Sequence, residues 1–203
     1  MKKININDDI QSLIFNCDGT LVDSMPLHMK AWQEAFIFYN EKFDYEYLNS
    51  LKGMKETEII GLYNKKFETN INAEVMVSKK HEFMLKNINN VKPIENIVNI
   101  AKEYFGKLPL AVVSGSVESI VHRELEIVGI KNLFNTILSA NDPFKPKPDP
   151  DIFYEAAKRL NVNPENCLVF EDGDPGLEAA EKAGMQTIDV REIALLNLPR
   201  GET

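Results

Sequence analysis

Ser12-Leu13-Ile14-Phe15-Asn16-Cys17-Asp18-Gly19-Thr20-Leu21-Val22-Asp23-Ser24 is the stretch from which the fold can be read. It opens on a short apolar run without strict alternation, as expected of a parallel strand covered on both faces. The run breaks into Asn16, Asp18 and Gly19, residue types that favour a tight turn. Similar runs recur at Leu110-Ala111-Val112-Val113, Thr136-Ile137-Leu138-Ser139 and Cys167-Leu168-Val169-Phe170, with a weaker one at Gln186-Thr187-Ile188-Asp189-Val190. Helical periodicity lies between them at residues 94–104, 116–128, 150–160 and 175–183, the second closed by Gly129 and the last by Gly184. This alternation of strand and helix predicts an α/β fold, a doubly wound parallel sheet.

The segment after the first strand breaks the pattern. Residues 24–90 show helical patterns at 26–39, 43–51, 55–66 and 72–89 and no convincing strand. An ordinary crossover between parallel strands needs a single helix. The segment therefore reads as an inserted helical cap, and the core as discontinuous, 1–23 plus 91–203.

Composition narrows the functional classes. A hydrophobic content of 44% in 203 residues supplies a sizeable core, and no single-sign block of charge suggests disorder. The net charge of −8 disfavours DNA or RNA as a partner, since a nucleic-acid site gains its affinity from neutralising phosphates. A small phosphorylated ligand stays compatible, because one lysine and one divalent cation reverse the sign locally. Two cysteines make no disulfide framework. Cys17 and Cys167 are expected to stay thiols. Neither a signal peptide nor an apolar run long enough to span a bilayer is found, so we expect no membrane partner and a cytoplasmic monomer.

Ligands of open α/β sheets sit at the carboxyl ends of the strands. There the sequence places Asn16, Asp18 and Gly19, then Ser114-Gly115-Ser116, then Lys145-Pro146-Lys147-Pro148-Asp149, then Glu171-Asp172-Gly173. Each piece alone has a plain reading as a turn, a helix cap, a loop or a solvated pair. Together, in order, they suit a metal ion and a phosphoryl group. Asp174 reads as a helix N-cap, with Pro175 at the first helical position.

Phe15 through Ser24 resembles the first motif of the haloacid dehalogenase superfamily, D-x-D-G-T/V, and the Ser, Lys-Pro-x-Pro and Glu-Asp motifs follow in the family's order. Pro26-Leu27-His28-Met29-Lys30-Ala31-Trp32, Val169-Phe170-Glu171-Asp172 and Ala183-Gly184-Met185 resemble its beta-phosphoglucomutase branch, closest to fructose-1-phosphatase-like members. The resemblance implies a Mg²⁺-dependent phosphatase of a small phosphorylated metabolite, a sugar phosphate by preference. It implies Asn16 at the nucleophile position and Asp18 as general acid and then base. Mg²⁺ would be held by residue 16, the Asp18 carbonyl and Asp172, with Glu171 as a second ligand or a partner behind it. Phosphate oxygens would be held by Ser114 and the Gly115 amide, with Lys145 offsetting charge. His28 and Lys52 would face the substrate from the cap, and Trp32 would pack within it.

Asn16 departs from the motif. An amide is a poor nucleophile at phosphorus, and it offers a neutral oxygen but no charge to Mg²⁺, so the aspartyl-phosphate route is closed in this chain as written. An engineered change, a natural one and partial deamidation all remain compatible with the sequence. Mutases of the branch carry a cap arginine for a second phosphate, after a Lys-Gly pair. Counting from Lys52-Gly53, that position is Glu56, which favours phosphatase over mutase. A non-catalytic phosphosugar binder is the third reading.

Overall fold

The computed structural model describes residues 6–52 and 54–196. Residues 1–5 and 197–203 of the expected core segments, and Gly53 of the Lys52-Gly53 pair, lie outside the described residues. The strands are β1 (Ser12–Phe15), β2 (Val22–Asp23), β3 (Lys92–Pro93), β4 (Leu110–Val113), β5 (Thr136–Leu138), β6 (Cys167–Glu171) and β7 (Gln186–Asp189). The helices are α1 (Met25–Phe38), α2 (Tyr45–Ser50), α3 (Glu56–Phe67), α4 (Ala73–Asn87), α5 (Glu95–Tyr104), α6 (Glu118–Ile127), α7 (Asp151–Leu160), α8 (Asp174–Lys182) and α9 (Val190–Leu196). Five strands form one parallel sheet in the order β5-β4-β1-β6-β7, so the strand bearing the first motif lies at its centre.

The uninterrupted apolar strands are explained by cover on both faces. Leu13, Phe15, Leu110, Val112, Leu168 and Phe170 point to the side packed with Ile97 and Val98 of α5 and Ile120 and Leu125 of α6. Their neighbours Ile14, Ala111, Val113, Cys167 and Val169 point to the side packed with Phe153 and Ala156 of α7 and Ala179 of α8. Phe15 and Phe170 stack at 4.8 Å between ring centroids. Full burial of each such side chain contributes roughly 1.5–3 kcal/mol, so this central pair fixes the β1–β6 register firmly.

Helices α1 to α4 build a separate apolar cluster around Trp32, Phe36, Leu48, Ile60, Tyr63 and Met76. Two of them start on side-chain caps: Asp44 accepts from the Tyr47 amide, and Asn72 from the Val75 amide. Ser24 stands at the N-cap of α1 but makes no such bond, because its hydroxyl is turned to Asp18. The lower end of this bundle also reaches the sheet, where Met84 and Ile88 join the core cluster. The two chain crossings pair with each other as β2 and β3, antiparallel, with Val22 opposite Pro93 and Asp23 opposite Lys92. A two-residue ladder carries no periodic signal, so neither strand is among those expected from the sequence. Helix α8 also starts a residue earlier than expected: Gly173 is its N-cap, and Asp174 lies inside the helix and pairs with Arg191 at 2.7 Å.

No described helix is long and apolar enough to cross a membrane. The β1–β6 register aligns Ser12 with Cys167 and Phe15 with Phe170, so Cys17 and Cys167 lie at opposite ends of adjacent strands. Both are free and buried. Thiol titration is expected to find neither reactive in the native protein and both reactive in denaturant. A peptide linking Cys17 to Cys167 would show that this register is wrong.

Candidate active site

The central strands deliver their next residues to one point. The Asn16 amide N–H donates to the Phe170 carbonyl at 2.9 Å, continuing the β1–β6 ladder past its end. This sets the Asn16 side chain beside Asp172. The turn that follows needs Gly19: its φ is +76°, and a Cβ there would lie 2.3 Å from Asp172 Oδ2.

The Asp18 carboxylate is held by hydrogen-bond donors from two places, the start of α1 and the loop after β4. Ser24 Oγ at 2.6 Å and His28 Nε2 at 2.8 Å meet Oδ1. Ser116 Oγ at 2.8 Å and Ser114 Oγ at 3.3 Å meet Oδ2. Burial opposes ionisation, but His28 and Ser24 outweigh it and hold the Asp18 carboxyl well below the usual carboxylate range. The Ser116 amide in turn donates to Ser114 Oγ at 3.0 Å, and Gly115 lines the cavity beside them.

The oxygens expected around Mg²⁺ do converge. Asn16 Nδ2 lies 2.8 Å from the Asp18 carbonyl oxygen and 2.9 Å from Asp172 Oδ1. Asn16, however, presents N–H groups to these oxygens, while its own Oδ1 accepts from Lys147 Nζ at 3.3 Å. Asp172 Oδ1 also accepts from Thr20 Oγ1 at 3.0 Å, and Oδ2 from Lys52 Nζ at 2.8 Å. Mg²⁺ demands hard oxygens at short range and favours negative charge. Here amide hydrogens lie between the oxygens, and the one carboxylate already carries an ammonium, so the donor set of this chain as it stands does not fit Mg²⁺.

Lys145 is not part of this constellation. Its side chain is 70% exposed and reaches Asp149 at 3.4 Å and Asp151 at 3.7 Å. Lys147 takes the buried place, 2.7 Å from Glu171 Oε2 and 3.2 Å from the Val113 carbonyl oxygen. The sequence holds two overlapping Lys-Pro-x-Pro tetrads, and the second, Lys147-Pro148-Asp149-Pro150, runs directly into α7. Abutment to that helix was the signal that separates them. Glu171 turns toward Lys147 and accepts from the amides of Asp172 and Gly173 at 3.0 and 2.9 Å, so it stands behind the oxygen set. A Cβ at Gly176 would strike this carboxylate at 2.1 Å.

From the helical side, Lys52 bridges to Asp172, and His28 begins a buried chain of charge. Lys80 Nζ lies 2.7 Å from His28 Nδ1, and His28 Nε2 meets Asp18 Oδ1 at 2.8 Å. Burial and Lys80 oppose protonation of His28, but Asp18 outweighs them and brings the imidazole up to about 9. Lys80 also pairs with Glu56, and Glu56 with His81. Burial opposes ionisation of Glu56, but Lys80 and His81 bring its carboxyl down to about 2. Trp32 both packs in the helical cluster and lies under Lys80, whose Nζ is 4.8 Å from the ring centroid. Beneath the motif, buried Glu124 accepts from Cys17 Sγ at 3.6 Å and has Oε1 3.8 Å from His28 Nε2. Burial and then Asp18 push its carboxyl up to about 7. Lys147, Thr20, Ser24, Ser116, Lys80 and Glu124 are the site residues that sequence reasoning did not single out.

A family description, haloacid dehalogenase-like hydrolase, matches residues 13–190. Fructose-1-phosphate phosphatase YqaB of Escherichia coli K12 is 33% identical over 180 residues, covering 88% of this chain and 95% of that protein. Beta-phosphoglucomutase of Bacillus subtilis is 28% identical over 193 residues, covering 89% of this chain and 83% of that protein. A hydrolase from Pseudomonas syringae shares the fold with a TM-score of 0.81 at 22% identity, over 87% of this chain and 83% of that one. The chain belongs to the haloacid dehalogenase-like hydrolases.

Proposed function

We propose that this chain is a phosphatase-type hydrolase for a small phosphorylated metabolite, a sugar phosphate in the first instance, with its covalent route closed at Asn16. The observation that carries the reading is the meeting of Asp18, Ser114, Ser116, Lys147 and Asp172 around residue 16, with Lys52 entering from the helical side. In this reading Asp18 exchanges a proton with the leaving oxygen and then with the incoming acceptor. Ser114 and the Gly115 amide orient phosphate oxygens, and Lys147 offsets the charge that develops on them. Residues 24–90 serve as the cap over a core of 1–23 and 91–203. The cavity between them, about 50 Å³, has room for only a few water-sized groups, so Lys52 must leave Asp172 for a sugar phosphate to enter.

Phosphatases of this family generally use Mg²⁺. With a carboxylate at residue 16, that group, the Asp18 carbonyl and Asp172 would form a hard-oxygen set for the ion, which would supply charge neutralisation at the phosphoryl group. The similarity to a beta-phosphoglucomutase raises the mutase reading, and Glu56 speaks against it. Its charge is matched by Lys80 and His81, so it does not simply repel a phosphate. Instead it ties down Lys80, a buried cation that lines the cavity. Among the described cavity-lining cap residues, Lys80 is then tied to Glu56, His28 to Asp18 and Lys52 to Asp172, which leaves no unengaged cation for a second phosphate.

The Asn16→Asp form is expected to hydrolyse an aryl phosphate in Mg²⁺ and to stop in EDTA. It should release inorganic phosphate from sugar monophosphates and form no isomeric sugar phosphate. No gain over the unaltered chain, with circular dichroism unchanged, would sink the phosphatase reading; an isomerised product would favour the mutase.

In the Asn16→Asp background, Lys145→Ala should retain activity and Lys147→Ala should lose it. Lys147→Ala should also cost roughly 3–5 kcal/mol of stability, because it strands the buried Glu171 charge. Urea unfolding of both variants checks this, and equal behaviour of the two lysines would remove Lys147 from the site.

A further inference from the structure

We propose that this chain binds a phosphate monoester without a divalent cation, the Asn16 amide and the Lys52 ammonium together taking the cation's place. The inference rests on the reading of the site as a phosphomonoester site. It goes further in stating what meets the acidic groups there.

The two N–H bonds of Asn16 Nδ2 are both committed, one to the Asp18 carbonyl oxygen at 2.8 Å and one to Asp172 Oδ1 at 2.9 Å. A Mg²⁺ ion would need those same oxygens at about 2.0–2.1 Å. Rotating the amide to offer its oxygen would turn Nδ2 toward Lys147 Nζ, now 3.3 Å from Oδ1, and set donor against donor. Lys147 cannot readily retreat, since Glu171 and the Val113 carbonyl hold it and its side chain is 2% exposed. The amide orientation is therefore fixed from behind.

The remaining acceptor on the site is also met. Asp172 Oδ2 is bound by Lys52 Nζ at 2.8 Å, and Oδ1 receives Thr20 besides Asn16. Asp172, with one ammonium and two neutral donors, has little left to attract a hydrated cation, and the Asp18 carboxylate is taken up by Ser24, His28, Ser114 and Ser116. The same arrangement favours an anion relative to a carboxylate at residue 16. It removes one negative charge from the phosphoryl position, and it holds Asp172 by hydrogen bonds when Lys52 turns from it to the ligand. Removing a like charge at contact range in a partly desolvated site is worth about tenfold or more in affinity for an anion.

Isothermal titration of the full chain with inorganic phosphate tests the proposal. Affinity for the unaltered chain is expected to stay within about twofold between EDTA and millimolar Mg²⁺, and titration with Mg²⁺ alone should give no heat that Asp172→Asn removes. In EDTA the unaltered chain should bind phosphate about tenfold more tightly than Asn16→Asp, and Mg²⁺ should reverse that order. Lys52→Met should weaken phosphate binding to the unaltered chain in EDTA. Tightening of the unaltered chain by Mg²⁺ of tenfold or more, or no phosphate binding in either condition, would overturn the proposal. The phosphatase reading fails separately, through absent Mg²⁺-dependent turnover by Asn16→Asp, and that result leaves the titration of the unaltered chain readable.

Discussion

The Asp172 carboxylate is the point on which the site is organised. It stands at the end of β6, buried, where an unpaired charge would cost several kcal/mol. Its neutralisation draws on distant parts of the chain: Asn16 and Thr20 from the first motif and Lys52 from the helical insertion. The space it fills dictates glycine at position 19, because no side chain fits against it. The β1–β6 register, fixed by Phe15 and Phe170, brings these partners within reach. Turn chemistry and the contact of the helical bundle with the core thus meet at one buried charge.

A second chain of charge runs through the helical bundle toward Asp18. Glu56 and Lys80 are buried, and neither would be tolerated alone. Paired, they hold α3 and α4 together, and Lys80 stands behind His28 where it meets Asp18. The geometry of Asp18 is therefore set by groups on the insertion as well as by its own turn. Bundle and core are electrostatically joined at two places, Lys52 to Asp172 and His28 to Asp18, and any opening must break or stretch the first.

Much of this was legible in the sequence, and the failures have physical causes. The parallel strands could be read because burial on both faces forces continuous apolar runs. Helices α1, α3 and α4 of the insertion could be read because each buries one stripe. Asn16, Asp18, Ser114 and Asp172 were placed because they directly follow such runs. Lys145 was mistaken for Lys147 because the loop after β5 has no periodicity to set its register, and two prolines repeat at the same spacing. The β2–β3 ladder escaped notice because two residues cannot show a pattern. Lys80 and Glu124 escaped because a single charged residue on a helix reads as solvent-facing, and only the tertiary partner reveals it as buried.

Asn16 shows how little of the scaffold depends on the catalytic charge. An amide and a carboxylate have nearly the same shape, so the turn, the glycine and the flanking hydroxyls can stay in place whichever is present. What differs is the sign of what faces the Asp18 carbonyl and Asp172. A carboxylate there adds to a concentration of negative oxygen that demands a cation. The amide supplies hydrogens to the same oxygens and balances the site from within. Phosphoryl recognition can thereby be separated from phosphoryl transfer at a single position. The phosphate contacts proposed for Ser114, Gly115, Lys52 and Lys147 act through their own donors, and none of them requires the charge that residue 16 lacks.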